Sequence, residues 1–251
     1  MTPSATRAEV ERLATQLLRA DLALETNAAV LRTSGQASWV TWSGSLANDP
    51  FTPEGQFASI AEYRRLLRGR EFSLLLVDGS IIQLSFQFDR SLLVKHRMVF
   101  FPCPLVLAPA LLLNDEDTID LPELFDTELL NSMLEIKQGS SKLAEADGRL
   151  RLRSPLRFDY DLGAQAEGHP GAHLHLSDES VRWAMFGPLC LGQFVRFVFR
   201  HFFPAAWSQH VFLREWPLQM GNRSVTPTEE QELFIECRPR GLTVPAGATV
   251  D

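Results

Sequence analysis

The chain has 251 residues, 45% of them apolar and 22% charged, with 17 Phe, 5 Trp and a net charge of −7. That is enough apolar material for a substantial core, which excludes a disordered chain. The negative balance excludes a protein that meets nucleic acid through its overall field, so any such contact has to use a local basic patch.

The length suits one domain over 1–251, or two packed halves over 1–138 and 149–251. Residues 1–18 do not read as a signal peptide, because Arg7, Glu9, Glu11 and Arg12 interrupt them and no apolar stretch follows. Val10, Leu13, Leu17, Leu24, Ala28 and Leu31 recur at helical spacing, which predicts one amphipathic helix over 5–32 with Gly35 as its stop. A strand is expected over 39–43 and a short helix over 60–67, ending at Gly69.

Next come two strand-like runs, 72–77 and 81–88, flanking Asp78-Gly79, a pair that favours a tight hairpin turn. Gln83, Ser85 and Gln87 alternate with Leu84, Phe86 and Phe88, so this strand has one polar and one apolar face. A third strand over 91–101 completes an antiparallel meander, and Lys95-His96-Arg97 reads as its solvated end. Residues 98–113 are apolar but carry three prolines, and they are shorter than the ~20 residues of a membrane span. The acidic stretch 114–126 lacks the glycine and ligand spacing of a calcium hand, so a solvated connection into a helix over 124–136 is expected.

Residues 137–148 are polar and separate the two halves. Arg149, Arg151 and Arg153 alternate with leucines, as on an edge strand whose charge guards against aggregation. Strands over 156–162 and 172–176, a strongly apolar helix over 191–203 and a last strand over 234–238 follow. Cys103, Cys190 and Cys237 are scattered without a paired spacing, which fits buried thiols and a reducing, cytoplasmic setting. The expected class is α+β: an antiparallel, hairpin-rich sheet with packed amphipathic helices.

Chemistry is concentrated between Arg157 and His175. In a strand, Arg157, Asp159 and Asp161 face one way while Phe158 and Tyr160 face the other, and His173 and His175 share a face too. Gly163, Gly168, Pro170 and Gly171 suit a return into an antiparallel partner. One register of that pair gathers Arg157, Asp159, His173 and His175, with His169 at the mouth, and a slip of one residue undoes it. Imidazoles trade protons near neutral pH, and arginine clamps phosphate through parallel hydrogen bonds. Arg157, Asp159, His173 and His175 are therefore the catalytic candidates, and His169, Tyr160, Arg182, Arg196 and Arg200 the ligand or partner contacts. No cofactor is expected, although His169, His173, His175 and Asp159 are also a possible divalent-metal set. A charged network that only fixes strand register is the structural alternative. Gly-x-Ser-x-Gly, phosphate-loop and dinucleotide fingerprints are absent.

Several runs together carry a family resemblance: Asp78-Gly79-Ser80-Ile81-Ile82-Gln83; Lys95-His96-Arg97 with Phe101-Pro102-Cys103-Pro104; Arg157-Phe158-Asp159-Tyr160; His169-Pro170 with His173-Leu174-His175; and Gly187-Pro188-Leu189 followed by Phe194, Phe197, Arg200, Phe202 and Phe203. Across roughly 70–205 the chain resembles domain-of-unknown-function family 2290, a bacterial family of similar length. Trp183-Ala184-Met185 and Leu189-Cys190-Leu191 depart from its pattern. The Arg-x-Asp, His-Pro, His-x-His order also resembles small toxin-type proteins of toxin–antitoxin pairs. Two functions are expected. One is a subunit of a bacterial multi-protein system, concerned with foreign DNA, whose Arg/Asp/His face meets another protein of the same operon, a nucleotide or a nucleic acid. The other is an RNase-like phosphodiesterase in which His173 and His175 act as acid and base.

Overall fold

The computed structural model describes residues 2–44, 51, 57–106, 120–138, 150, 151, 153–164, 171–177, 180–185 and 187–218. The expected strand over 234–238, Cys237 and His169 lie outside them. Within them is an α+β fold with a nine-stranded sheet in which every pairing is antiparallel.

The first helix, α1 (Pro3–Arg19), starts on Thr2, whose side chain accepts from the Ala5 N–H. It stops far short of the expected 5–32. Asp21 takes a left-handed φ of 53°, Leu22 N–H bonds Leu17 O at 2.9 Å and Asp21 N–H bonds Leu18 O at 3.1 Å. This termination usually uses glycine, but aspartate tolerates the left-handed region. The remaining leucines serve two strands instead, β1 (Ala23–Thr26) and β2 (Val30–Ser34), where tertiary pairing overrides the helical spacing.

After β3 (Ala37–Thr41) comes α2 (Ile60–Arg68), capped by Ser59 and ending at Gly69 as expected. The meander follows: β4 (Leu74–Leu76), β5 (Ile81–Asp89) and β6 (Leu92–Phe101). The turn differs in detail from a two-residue one. Gly79 N–H bonds Leu76 O at 2.9 Å and Leu76 N–H bonds Ser80 O at 2.8 Å, which places Gly79, at φ 81°, in the bulge position. Beyond α3 (Leu121–Gln138) come β7 (Leu156–Asp161), β8 (Ala172–Leu176), the short β9 (Trp183–Ala184), α4 (Leu191–Phe202), α5 (Pro204–Gln209) and α6 (Val211–Arg214). The arginines near 150 do not form the expected edge strand among the described residues; Leu150 makes only an isolated bridge to Leu105.

The strand order is β1-β4-β5-β6-β7-β8-β9, with the β2–β3 hairpin joined to the far end of β5. Strand alternation then separates two faces. On the first, Leu84, Phe86, Met98, Phe100, Phe158 and Leu174 pack with Val10, Leu13 and Leu17 of α1 and with Phe194, Val198 and Phe199 of α4. Each such side chain contributes about 1.5–3 kcal/mol by leaving water. On the second face, α2 and α3 cover one end, where Tyr63, Leu66, Leu67, Phe125 and Leu129 pack on Leu75, Ile81 and Phe101. The polar residues of β5 to β8 occupy the rest of that face.

Candidate functional site: a charged cluster on the second face

The registers align the cluster. Ser85 pairs with Arg97, Arg97 with Asp159 and Asp159 with His173, a row across four strands. In the next row Val99 pairs with Arg157 and Arg157 with His175. Arg157, Asp159, His173 and His175 thus share one face, in the register that alternation requires.

Asp159 is the centre. Arg97 reaches it with two guanidinium N–H groups, Nε donating to Oδ1 at 3.0 Å and Nη2 to Oδ2 at 3.2 Å. Arg157 Nε stands 3.0 Å from Oδ2 as an ion pair. Burial works against the charge of Asp159, but Arg97 and then Arg157 outweigh it and hold the carboxyl at about 2. His175 Nε2 is 3.6 Å from the same Oδ2.

The two imidazoles meet each other, with Nε2 to Nε2 at 2.9 Å. One of these atoms therefore carries the hydrogen while the other accepts it. His173 is 3% exposed and His175 1%. Burial first and Arg157 second hold His175 down at about 3, so it is neutral at pH 7; His173 and Arg182 push the same way. Phe57 covers the cluster. Its ring lies 4.8 Å from the Arg157 guanidinium and meets His175 edge-on at 6.4 Å.

The remaining expected contacts are dispersed. Arg182 is exposed just before β9, close enough to act on His175 through its charge. Tyr160 lies on the opposite face, beside His96 at 5.6 Å, because it alternates with Asp159. Arg196 and Arg200 belong to α4, which packs on that opposite face; Arg196 donates to Trp216 O at 3.3 Å and Arg200 is exposed. These residues do not join the cluster.

Lys95-His96-Arg97 is a correction of another kind. It is the middle of β6, not a solvated end. Lys95 pairs with Asp161 at 2.8 Å, Arg97 is part of the cluster, and His96 is 1% exposed on the core face. The missed signal was complementarity: Lys-x-Arg on one strand matches Asp-x-Asp on another, and opposite charges across an antiparallel pair stabilise it. Cys103 and Cys190 are buried free thiols. Burial pushes Cys103 up to about 11, so it is not a nucleophile at neutral pH.

A family model described as "Uncharacterized conserved protein (DUF2290)" matches residues 22–237. The chain belongs to this family. The match contains the DUF2290 chain's whole sheet from β1 to β9, and with it every residue of the cluster. No curated protein and no solved structure matches the chain. Among the described residues of this DUF2290 protein, no helix is long and apolar enough to cross a membrane.

Proposed function

We propose that the protein is a cytoplasmic, ligand-binding subunit of a bacterial multi-protein system, and that the Arg97–Asp159–Arg157 cluster receives an anionic group of a partner or ligand. The observation that carries this is the convergence of Arg97 and Arg157 on Asp159 beside two buried histidines. Asp159 holds both guanidiniums in place before any ligand arrives, which reduces the ordering cost of binding. A guanidinium has five N–H groups in a fixed fork, suited to phosphate or carboxylate oxygens. The imidazole pair adds a neutral donor and acceptor. In a site shielded from water each of these contacts is stronger than at an open surface.

The test is calorimetric titration of inorganic phosphate and a nucleoside monophosphate into the wild type and Arg157→Gln, with melting curves in parallel. Loss of one charge-assisted contact, worth about 1.5–3 kcal/mol, predicts roughly 10–100-fold weaker binding by the variant. Equal binding by the two proteins, or none by the wild type, sinks the reading.

The second reading, an RNase-like phosphodiesterase, has support in the 2.9 Å contact between His173 and His175. It requires an imidazole that gives up a proton near neutral pH, and His175, held at about 3, is a base without one. A His173→Ala/His175→Ala double variant separates the readings. Cleavage of RNA or a cyclic nucleotide by the wild type, lost in a variant that still folds, favours the enzyme.

A further inference from the structure

His173 and His175 stand two apart on β8, so both rings leave the same face of the strand. Their Nε2 atoms converge, and one donor atom from each of His173, His175 and Asp159 lies within 4.8 Å of the others. A shared hydrogen explains the imidazole contact. The third donor, Asp159 Oδ2, already faces Arg97 Nη2 at 3.2 Å and Arg157 Nε at 3.0 Å, and it sits 3.6 Å from His175 Nε2. Nitrogens 2.9 Å apart subtend about 90° at an ion bound some 2.0–2.1 Å from each, the angle between neighbouring positions of an octahedron. Two imidazoles and one carboxylate are a borderline donor set. Magnesium and calcium prefer oxygen alone, whereas divalent transition ions accept this combination and keep positions open. The carboxylate is also fixed from outside, since Arg97 grips it through both oxygens, and such outer contacts orient metal ligands.

We propose that His173, His175 and Asp159 form a divalent transition-metal site with open coordination positions, which an anion beside Arg97 and Arg157 completes. The metal site stands on the donor geometry, while the completing anion rests on the anion-binding reading above. Two guanidiniums oppose a dication. An anion that binds metal and guanidinium together offsets that repulsion, so metal and anion strengthen each other's binding equally.

Co2+ is the probe, because its visible absorption reports nitrogen and oxygen ligation directly. Added to the chelator-treated full chain, Co2+ is expected to give ligand-field bands that saturate at one equivalent, to be displaced by Zn2+ and to persist in excess Mg2+. His175→Ala should weaken Co2+ by more than the about 10–100-fold that an outer contact is worth. Ser85→Ala, beyond the three ligands, should keep it. Inorganic phosphate should tighten Co2+ binding in the wild type. Absence of saturable bands in the wild type overturns the site whether or not the variants fold, as does a Co2+ signal unchanged in a folded His175→Ala protein. Phosphate binding to the chelator-treated protein tells the two proposals apart. If it persists where Co2+ does not bind, the metal site falls and the anion receptor stands; if both are absent, both fall.

Discussion

His96 and His175 flank β7 on opposite faces of one sheet, and both are held neutral first of all by burial, in different surroundings. His96 sits at 6.4 Å from Phe86 and 5.6 Å from Tyr160 on the core face. Neither of its ring nitrogens finds a hydrogen-bond partner of good geometry among the described residues. Burial is the leading reason it is held at about 4, against the charge of Asp159, which pulls the other way. His175 is held at about 3 by burial and then by Arg157. The strands thus turn apolar side chains to the first face, where Glu9 of α1 is buried against Trp216, whereas on the second face they gather charge around one shared carboxylate. Buried charge is tolerated there because Arg97 and Arg157 share Asp159, although His175 Nδ1 finds no hydrogen-bond partner of good geometry among the described residues, and removing the carboxylate leaves a stranded charge.

The sharpest way to break this contrast is to mutate neighbours in β7. At pH 7, Asp159→Ala leaves Arg97 and Arg157 without their shared carboxylate and should cost about 3–5 kcal/mol of unfolding free energy. Phe158→Ala, facing the other way onto Phe194 at 5.8 Å and Phe197 at 5.5 Å, should cost about as much, ~3–5 kcal/mol, through a cavity. Urea titrations against pH distinguish them. The carboxyl is lowered from 3.8 to about 2 in the folded chain, so its stabilisation is present above pH 3.8 and lost as pH falls towards 2. The cost of Asp159→Ala should shrink across that window, while that of Phe158→Ala stays flat. Equal pH profiles mean that Asp159 is not held by charge.

His96 offers a smaller effect. Its folded value is about 4 against 6.5 unfolded, so the unfolded chain takes the proton first and stability falls as pH drops from 6.5 towards 4. His96→Leu removes that liability and should gain about 2 kcal/mol over the wild type at pH 5. A melting difference that does not grow between pH 7 and pH 5 contradicts the assignment. Smallest is Ser85→Ala. It removes a buried hydroxyl 3.2 Å from Thr41 Oγ1 at the far end of the charged row, and should cost about 1 kcal/mol by chemical denaturation. A loss as large as that of Asp159→Ala means that the row acts as one unit.

Much of this was legible before folding. Period-two alternation in 81–88, 156–161 and 172–176 fixes which side chains share a face, and so brings Asp159, His173 and His175 together once β7 and β8 pair. Alternation is a property of the strand itself, independent of what it packs on. The end of α1 was not legible. Asp21 in a left-handed conformation stops that helix well before Gly35, the expected stop, and sheet pairing with β4 and β3 claims the leucines beyond it.

Arg97 marks the boundary between the two kinds of information. Its residue type and its parity on β6 are written in the sequence, as are the carboxylates it complements. Its place beside Asp159 depends on the neighbour choice that puts β6 next to β7, two elements separated by more than fifty residues. Once made, that pairing is held on the first face by packing against α1 and α4 and on the second by the Lys95–Asp161 and Arg97–Asp159 ion pairs. Local pattern therefore determined what the second face contains, and the tertiary pairing of distant strands determined which of those groups meet.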